Sequence, residues 1–338
     1  MRQLNFIETG KLSWEEVPEP KLQSEQDALV RPITVARCDL DFAIVHGKAP
    51  FMGPFPLGHE FVGEIIELGS LVTDFYVGQR VVVPFQISCG ECLLCHRHLT
   101  SSCKGVPYRS MYGLGALGGE WGGALSDLVR VPFAQHMLVA VPNSLDPAAL
   151  ASVSDNLPDA WRTVAPYLEE SPNQSVLIIG GGAWSISLYA VAIAVALGAK
   201  QIDYADNDPA RLALAESLGA KIIAENIPRR LGEYDITVDG SANPKGLACA
   251  LRSTTPGGIC TSVGIYYTDT TPIPLLDMYD KGITFKTGRV NARSYIPKII
   301  DLVEKGRLHP EKITSKVAPW DEAIEAWHEP CVKVIISR

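Results

Sequence analysis

SVLIIGGGAWSISLYAVAIAVALGAKQIDYAD, residues 175–206, holds two short apolar runs, a glycine turn and a long uncharged stretch between them. No residue from Val176 to Ala199 is charged, a length that on paper suffices to cross a bilayer. Gly180, Gly181 and Gly182 break it directly after a β-branched run. The stretch therefore reads as a buried strand, 175–179, a tight turn, and a buried helix, 184–197. A second strand, 201–205, follows, then a helix over 208–218 with Asp208 as its cap and Pro209 at its first position. Strands alternating with helices imply a parallel sheet with right-handed crossovers, hence a doubly wound α/β architecture.

The glycine turn lies where such a sheet binds a dinucleotide. Gly180, Gly182, Ala183 and Trp184 would bring a pyrophosphate against backbone N–H groups at a helix N-terminus, whose partial positive charge favours it. Asp206, at the end of the second strand, would accept hydrogen bonds from the adenosine ribose and repel a 2′-phosphate, which argues for NAD over NADP. In the pattern G-x-G-x-x-G the third glycine is replaced by Ser185. A glycine fingerprint alone also fits a buried βαβ unit without a nucleotide, and the strand and helix context with Asp206 is what favours the cofactor.

Before about residue 150 the texture differs. Runs such as 78–85 and 126–132 read as antiparallel strands and turns. Cys89, Cys92, Cys95 and Cys103 form a C-x2-C-x2-C-x7-C ladder able to close four thiolates around one structural zinc, with a disulfide framework or unliganded thiols as alternatives. The opening MRQLNFIETG has no apolar export region, which weighs against disulfides and places the chain in the cytoplasm. Cys249, Cys260 and Cys331 read as apolar filler. Cys38 and Gly58-His59-Glu60 offer a second, mixed and incomplete ligand set, of the kind that does chemistry.

The 338 residues, 46% of them hydrophobic, suit two domains. Thirty basic against thirty-eight acidic residues, with no long basic block, exclude nucleic acid and anionic membrane as expected partners. A small-molecule substrate fits better.

The segment GHEFVGEIIELGSLV, Gly58 to Val72, resembles the signature of the zinc-containing alcohol dehydrogenases of the medium-chain dehydrogenase/reductase superfamily. The cysteine ladder matches that family's structural zinc lobe, here about 86–105, and 180–206 sits where its coenzyme domain begins. The resemblance implies two zinc ions per chain: one in the cage, and a catalytic one held by Cys38, His59 and Asp155, with Glu60 as a transient ligand. It implies a mainly β GroES-like catalytic domain, 1–155 with 288–338, and a Rossmann domain, 156–287, with the active site in the cleft. Val263 and Gly264 would contact nicotinamide through backbone, and Arg211 joins the expected cofactor-binding set. The activity implied is hydride transfer between an alcohol or carbonyl and NAD(H), by a homodimer or homotetramer.

The residue types suit that chemistry: zinc on mixed ligands lowers the pKa of a bound hydroxyl, from about 15.7 to about 7 in the case of water. Several positions depart from the family pattern. Leu40 and Ala43 replace the usual Ser/Thr and His of a proton relay, leaving His46 or a water chain as candidates. Asp39 puts a negative charge towards the pyrophosphate, Asp159-Ala160 replaces a Thr-Gly pair, and Trp184 replaces a small aliphatic residue. Two alternatives follow: a relay-deficient zinc reductase of a conjugated or iminium bond, and a non-catalytic zinc-binding relative. Phe42, Tyr108, Met111 and Trp121 are candidate pocket residues, equally explained by core packing. In the last third, 255–258 reads as a turn into a strand over 259–266, and 294–305 as an amphipathic helix ended by Gly306.

Overall fold

The computed structural model describes residues 1–224 and 226–338. The chain forms two compact units, one of Met1–Pro158, Val290–Gly306 and Thr314–Arg338, the other of Asp159–Arg289 and Arg307–Ile313.

The first unit is built on the strand Ala28–Ala36. On one side it pairs antiparallel with Glu60–Leu68, and on the other with Val334–Ser337. Arg80–Val83 and Val139–Ala140 extend the sheet beyond Glu60–Leu68, and Lys316–Pro319 runs parallel to Val334–Ser337. Val129–Val131 pairs with the beginning of the hub strand. A smaller sheet joins Lys11–Glu16, Arg2–Glu8 and Phe55–Pro56. The strands expected over 78–85 and 126–132 are thus shorter than the sequence suggested, because flanking turn residues leave the ladder. Between the sheets lie fully buried Leu4, Phe6, Val30, Phe61, Ile65, Val81 and Trp327. Each such side chain contributes roughly 1.5–3 kcal/mol by leaving water.

Register decides what meets at one end of this sheet. Ala36 pairs with Glu60 and with Ile335. Cys38 therefore lies just beyond the end of the hub strand, beside His59 on one neighbour and Lys333 on the other. Ser154 Oγ accepts from the Phe61 N–H and donates to the Phe61 carbonyl, both at 2.9 Å, which brings Asp155 to the same end.

The second unit carries six parallel strands in the spatial order Lys221–Ile223, Gln201–Ala205, Ser175–Ile179, Tyr234–Asp239, Thr254–Ser262, Thr284–Thr287. This is the 3-2-1-4-5-6 order of the Rossmann fold. Asp208 caps the helix Pro209–Ser217 by accepting from the N–H groups of Ala210 and Arg211. The helix Trp184–Ala196 is buried almost all round, which accounts for its lack of charge. Two expectations need correction. Residues 255–258 belong to the strand Thr254–Ser262, whose register shifts opposite Tyr234–Ile236, and that strand ends at Ser262, not Tyr266. The helix expected over 294–305 is Ala292–Glu304.

Candidate active site and metal centres

One donor atom from each of Cys38, His59, Glu60 and Asp155 lies within 4.8 Å of the others, and all four residues are buried. Asp155 Oδ2 is 3.6 Å from Cys38 Sγ and 3.3 Å from His59 Nε2. Ligands about 2.0–2.3 Å from a tetrahedral zinc stand roughly 3.3–3.8 Å from one another, so both separations from Asp155 Oδ2 suit ligands of one ion, and the sulfur and imidazole nitrogen lie within 4.8 Å of each other. Glu60 is engaged elsewhere: its Oε1 pairs with Lys333 Nζ at 3.2 Å, and its Oε2 accepts from the Asn156 N–H at 3.4 Å.

The electrostatics of the cluster favour a cation. Burial, then Asp155 and Glu60, push the Cys38 thiol well up. Burial likewise pushes Glu60 up to about 8 against the pull of Lys333. Burial opposes the imidazolium of His59, but Asp41 and Asp155 outweigh it and raise the group to about 9. Acids crowded out of water repel one another, and a divalent ion among them relieves the repulsion.

Around these donors stand residues the sequence reading did not single out. Asp41 Oδ2 accepts from the Cys38 N–H at 3.0 Å, and its Oδ1 faces His59 Nδ1 at 3.5 Å. Among the described residues neither Asp41 Oδ1 nor His59 Nδ1 has another hydrogen-bond partner, so each is left to the other. A carboxylate behind the far nitrogen of an imidazole orients the ring and fixes its tautomer. The C-x-x-D spacing at the start of the helix Asp39–Val45 was the available signal. The fully buried Arg37 donates to the carbonyls of Trp327, Glu329 and Cys331. Phe85 lies with its ring 5.6 Å from that of His59.

The four cysteines of the ladder also converge within 4.8 Å. Cys103 Sγ is 3.5 Å from Cys89 Sγ and 3.9 Å from Cys92 Sγ, again the spacing of a tetrahedral thiolate cage. Backbone N–H groups of Lys104 and Cys95 draw Cys92 down to about 6. Gly90 has φ +81, and a Cβ there would strike the His136 ring at 2.6 Å, so the turn that points Cys89 and Cys92 inward requires glycine.

In the second unit the glycine turn packs against the neighbouring strand ends. The Gly182 and Ala183 N–H groups donate to the carbonyls of Ser241 and Gly240. A Cβ on Gly180 would lie 2.4 Å from both Tyr204 Oη and Asp206 Oδ2. Asp206 is buried and accepts from Tyr204, from the N–H groups of Asn207 and Asp208, and bidentately from Arg211 at 2.7 and 2.8 Å. The Arg211 guanidinium sits 5.6 Å from the Trp184 ring centre. Asp206 is thus a paired carboxylate and not a bare charge. Val263 and Gly264 follow the end of the strand Thr254–Ser262. Asp159 pairs with Arg162 at 2.5 Å, and Arg162 also reaches the Ser262 carbonyl.

Not every candidate belongs to a site. Met111 is core, Tyr108 is 73% exposed, and Trp121 packs on the core beneath Arg130. Phe42 is buried beside Arg37 and His46. Leu40 and Ala43 pack against the core, and His46 is exposed with Nδ1 2.9 Å from the Phe42 carbonyl.

Residues 24–143 match the alcohol dehydrogenase GroES-like domain family and residues 185–305 the zinc-binding dehydrogenase family. A zinc-type alcohol dehydrogenase B of Aspergillus flavus is 30% identical over 97% of this chain and 78% of its own length. The chain belongs to the zinc-type alcohol dehydrogenases. Within this family of the medium-chain superfamily, alcohol dehydrogenase TADH from Thermus sp. ATN1 superposes with a TM-score of 0.91 at 33% identity, covering 100% of this chain and 99% of that one. A putative zinc-binding dehydrogenase from Sinorhizobium meliloti 1021, bound to NADP, shares the fold at TM-score 0.82 and 23% identity, over 100% and 99% of the two chains. This alcohol dehydrogenase relative is a zinc-dependent oxidoreductase, and neither the conjugated-bond reductase nor the non-catalytic reading is favoured by these similarities. Among the described residues no helix is long and apolar enough to cross a membrane.

Proposed function

We propose that the enzyme interconverts an alcohol and a carbonyl compound, with NAD(H) as hydride carrier and a zinc ion on Cys38, His59 and Asp155 at the reacting centre. The observation that carries this reading is the convergence of thiolate, imidazole and carboxylate donors in one buried cluster while Glu60 is drawn off towards Lys333. With Glu60 paired to Lys333, Cys38, His59 and Asp155 would hold the ion and leave it accessible to a substrate oxygen. Zinc supplies Lewis acidity, which makes the hydroxyl more acidic in one direction and the carbonyl more electrophilic in the other.

The chain's own residues do the rest. Asp41 orients His59 through Nδ1, and Lys333 keeps Glu60 paired outside the permanent ligand set, where it serves as a transient ligand. The four cysteines of the cage would hold a second, structural zinc, for which a closed set of four thiolates is suited. In the Rossmann unit, the turn at Gly180, Gly182, Ala183 and Trp184 borders the pyrophosphate by close backbone approach, since the Gly182 and Ala183 N–H groups are already engaged by the Ser241 and Gly240 carbonyls; Asp206 with Arg211 receives the adenosine ribose, and Val263 with Gly264 borders the nicotinamide. A carboxylate at the second strand's end supports NAD over NADP, although Arg211 neutralises part of its charge. We assign the GroES-like part to 1–155 with 288–338 and the coenzyme part to 156–287, and place a homodimer or homotetramer in the cytoplasm, where thiols stay reduced.

Metal analysis together with a screen of primary, secondary and polyol alcohols and aldehydes against NAD and NADH tests this. Two zinc per chain and nicotinamide-coupled turnover are expected. No NADH binding, or a single zinc that survives loss of Cys38, would overturn it.

A further inference from the structure

Asn156 opens the helix Asn156–Glu170, is fully buried, and touches every part of the mixed donor cluster except His59. Its Nδ2 lies 3.2 Å from Cys38 Sγ and 3.1 Å from Asp155 Oδ2. Its Oδ1 is 2.6 Å from Lys333 Nζ. The orientation of the amide is not arbitrary. An ammonium only donates, so the amide oxygen must face Lys333 and the two N–H bonds must face the sulfur and the carboxylate.

Those two acceptors are the same atoms that stand at zinc-ligand spacing. We propose that Asn156 is a positioning residue that tunes the catalytic metal, by donating hydrogen bonds at once to the Cys38 thiolate and to Asp155 Oδ2. This rests on the reading of Cys38, His59 and Asp155 as metal ligands. An N–H bond to a thiolate withdraws electron density from sulfur, and one to a carboxylate oxygen does the same, so the ion keeps more of its Lewis acidity. Lys333 polarises the amide from the other side and strengthens both donations. The lysine thereby acts on the metal through Asn156 while holding Glu60 away from it. A merely structural Asn156, present only to satisfy the buried ammonium, would leave the sulfur's electronic state unchanged.

Cobalt placed at the catalytic site of the full chain reads this out. The charge-transfer band lost in Cys38→Ser identifies the Cys38 thiolate. In Asn156→Leu, and in the smaller Asn156→Ala should Leu disturb folding, that band is expected at lower energy. Loss of this cobalt to a chelator is expected to speed about tenfold or more, because Cys38 Sγ and Asp155 Oδ2 lose the donor that fixes their orientation, an effect that outweighs their stronger donation, with the metal in the cysteine cage unaffected. An unchanged band and loss rate in a folded variant overturn the role of Asn156. Absence of any Cys38-dependent band in the unsubstituted enzyme instead overturns the ligand assignment, and the role of Asn156 falls with it.

Discussion

Lys333 and Glu60 form an ion pair at 3.2 Å although they are 273 residues apart and neither side chain has any solvent exposure. Such a pair is held by its surroundings: the ammonium also donates to the Arg37 carbonyl and to Asn156 Oδ1.

Removing the ammonium strands a buried carboxylate. Lys333→Met is expected to cost about 3–5 kcal/mol by denaturant unfolding where Glu60 is ionised. Burial holds Glu60 up to about 8, so the penalty should shrink at pH 6, where the carboxyl keeps its proton, and grow above pH 8. Adding Glu60→Gln should recover most of it. Equal cost at both pH values would contradict the pairing.

Asp155 Oδ2 lies 3.6 Å from Cys38 Sγ and 3.3 Å from His59 Nε2. Asp155→Ala should lower zinc content by about one ion per chain, as expected for loss of one of three protein ligands, and abolish turnover while the cysteine cage stays filled. Metal analysis after gel filtration checks it, and unchanged stoichiometry would point to a different ligand.

Arg211 binds Asp206 bidentately, so on the proposed reading the two would act as one unit towards the cofactor. Asp206→Ala should weaken NADH roughly tenfold or more through loss of a charged acceptor. It also frees the guanidinium for a 2′-phosphate, so NADPH should lose less or gain. Fluorescence titrations with both cofactors decide this, and equal losses would remove Asp206 from the ribose site.

Burial, aided by Arg293, lowers His136 from the usual 6.5 to about 4. The unfolded chain then takes up a proton below pH 6.5 that the folded chain refuses until about pH 4, so stability falls as pH falls through that window. Thermal melts of His136→Phe should show a flatter profile over this range, and a slope matching the unsubstituted protein would exclude the group.

What could be read from the chain depended on locality. The cysteine ladder and the Gly58-His59-Glu60 signature are short patterns whose spacing carries their geometry, and the alternation after residue 175 carries the parallel sheet. Lys333 and Asn156 matter through partners 273 and 177 residues away, and no spacing announces such contacts. The one hint was a lysine set in the apolar run from Val332 to Ile336. Asp206 was legible as a charge, but its neutralisation by Arg211 follows from a helix turn that brings the guanidinium back over the strand end. For Tyr108 and Met111 the sequence left pocket and core open, because an aromatic or apolar residue looks alike in either place; Met111 is buried in the core and Tyr108 is exposed.

The strand Val334–Ser337 pairs with Ala28–Ala36 only after the chain has passed through the whole Rossmann sheet. Cys38, His59, Glu60 and Asp155 are therefore all synthesised long before Lys333, the cation that pairs with Glu60. The α/β unit, whose partners are nearer in sequence, is free to condense first, and the end of the β unit that gathers the buried donor cluster closes last.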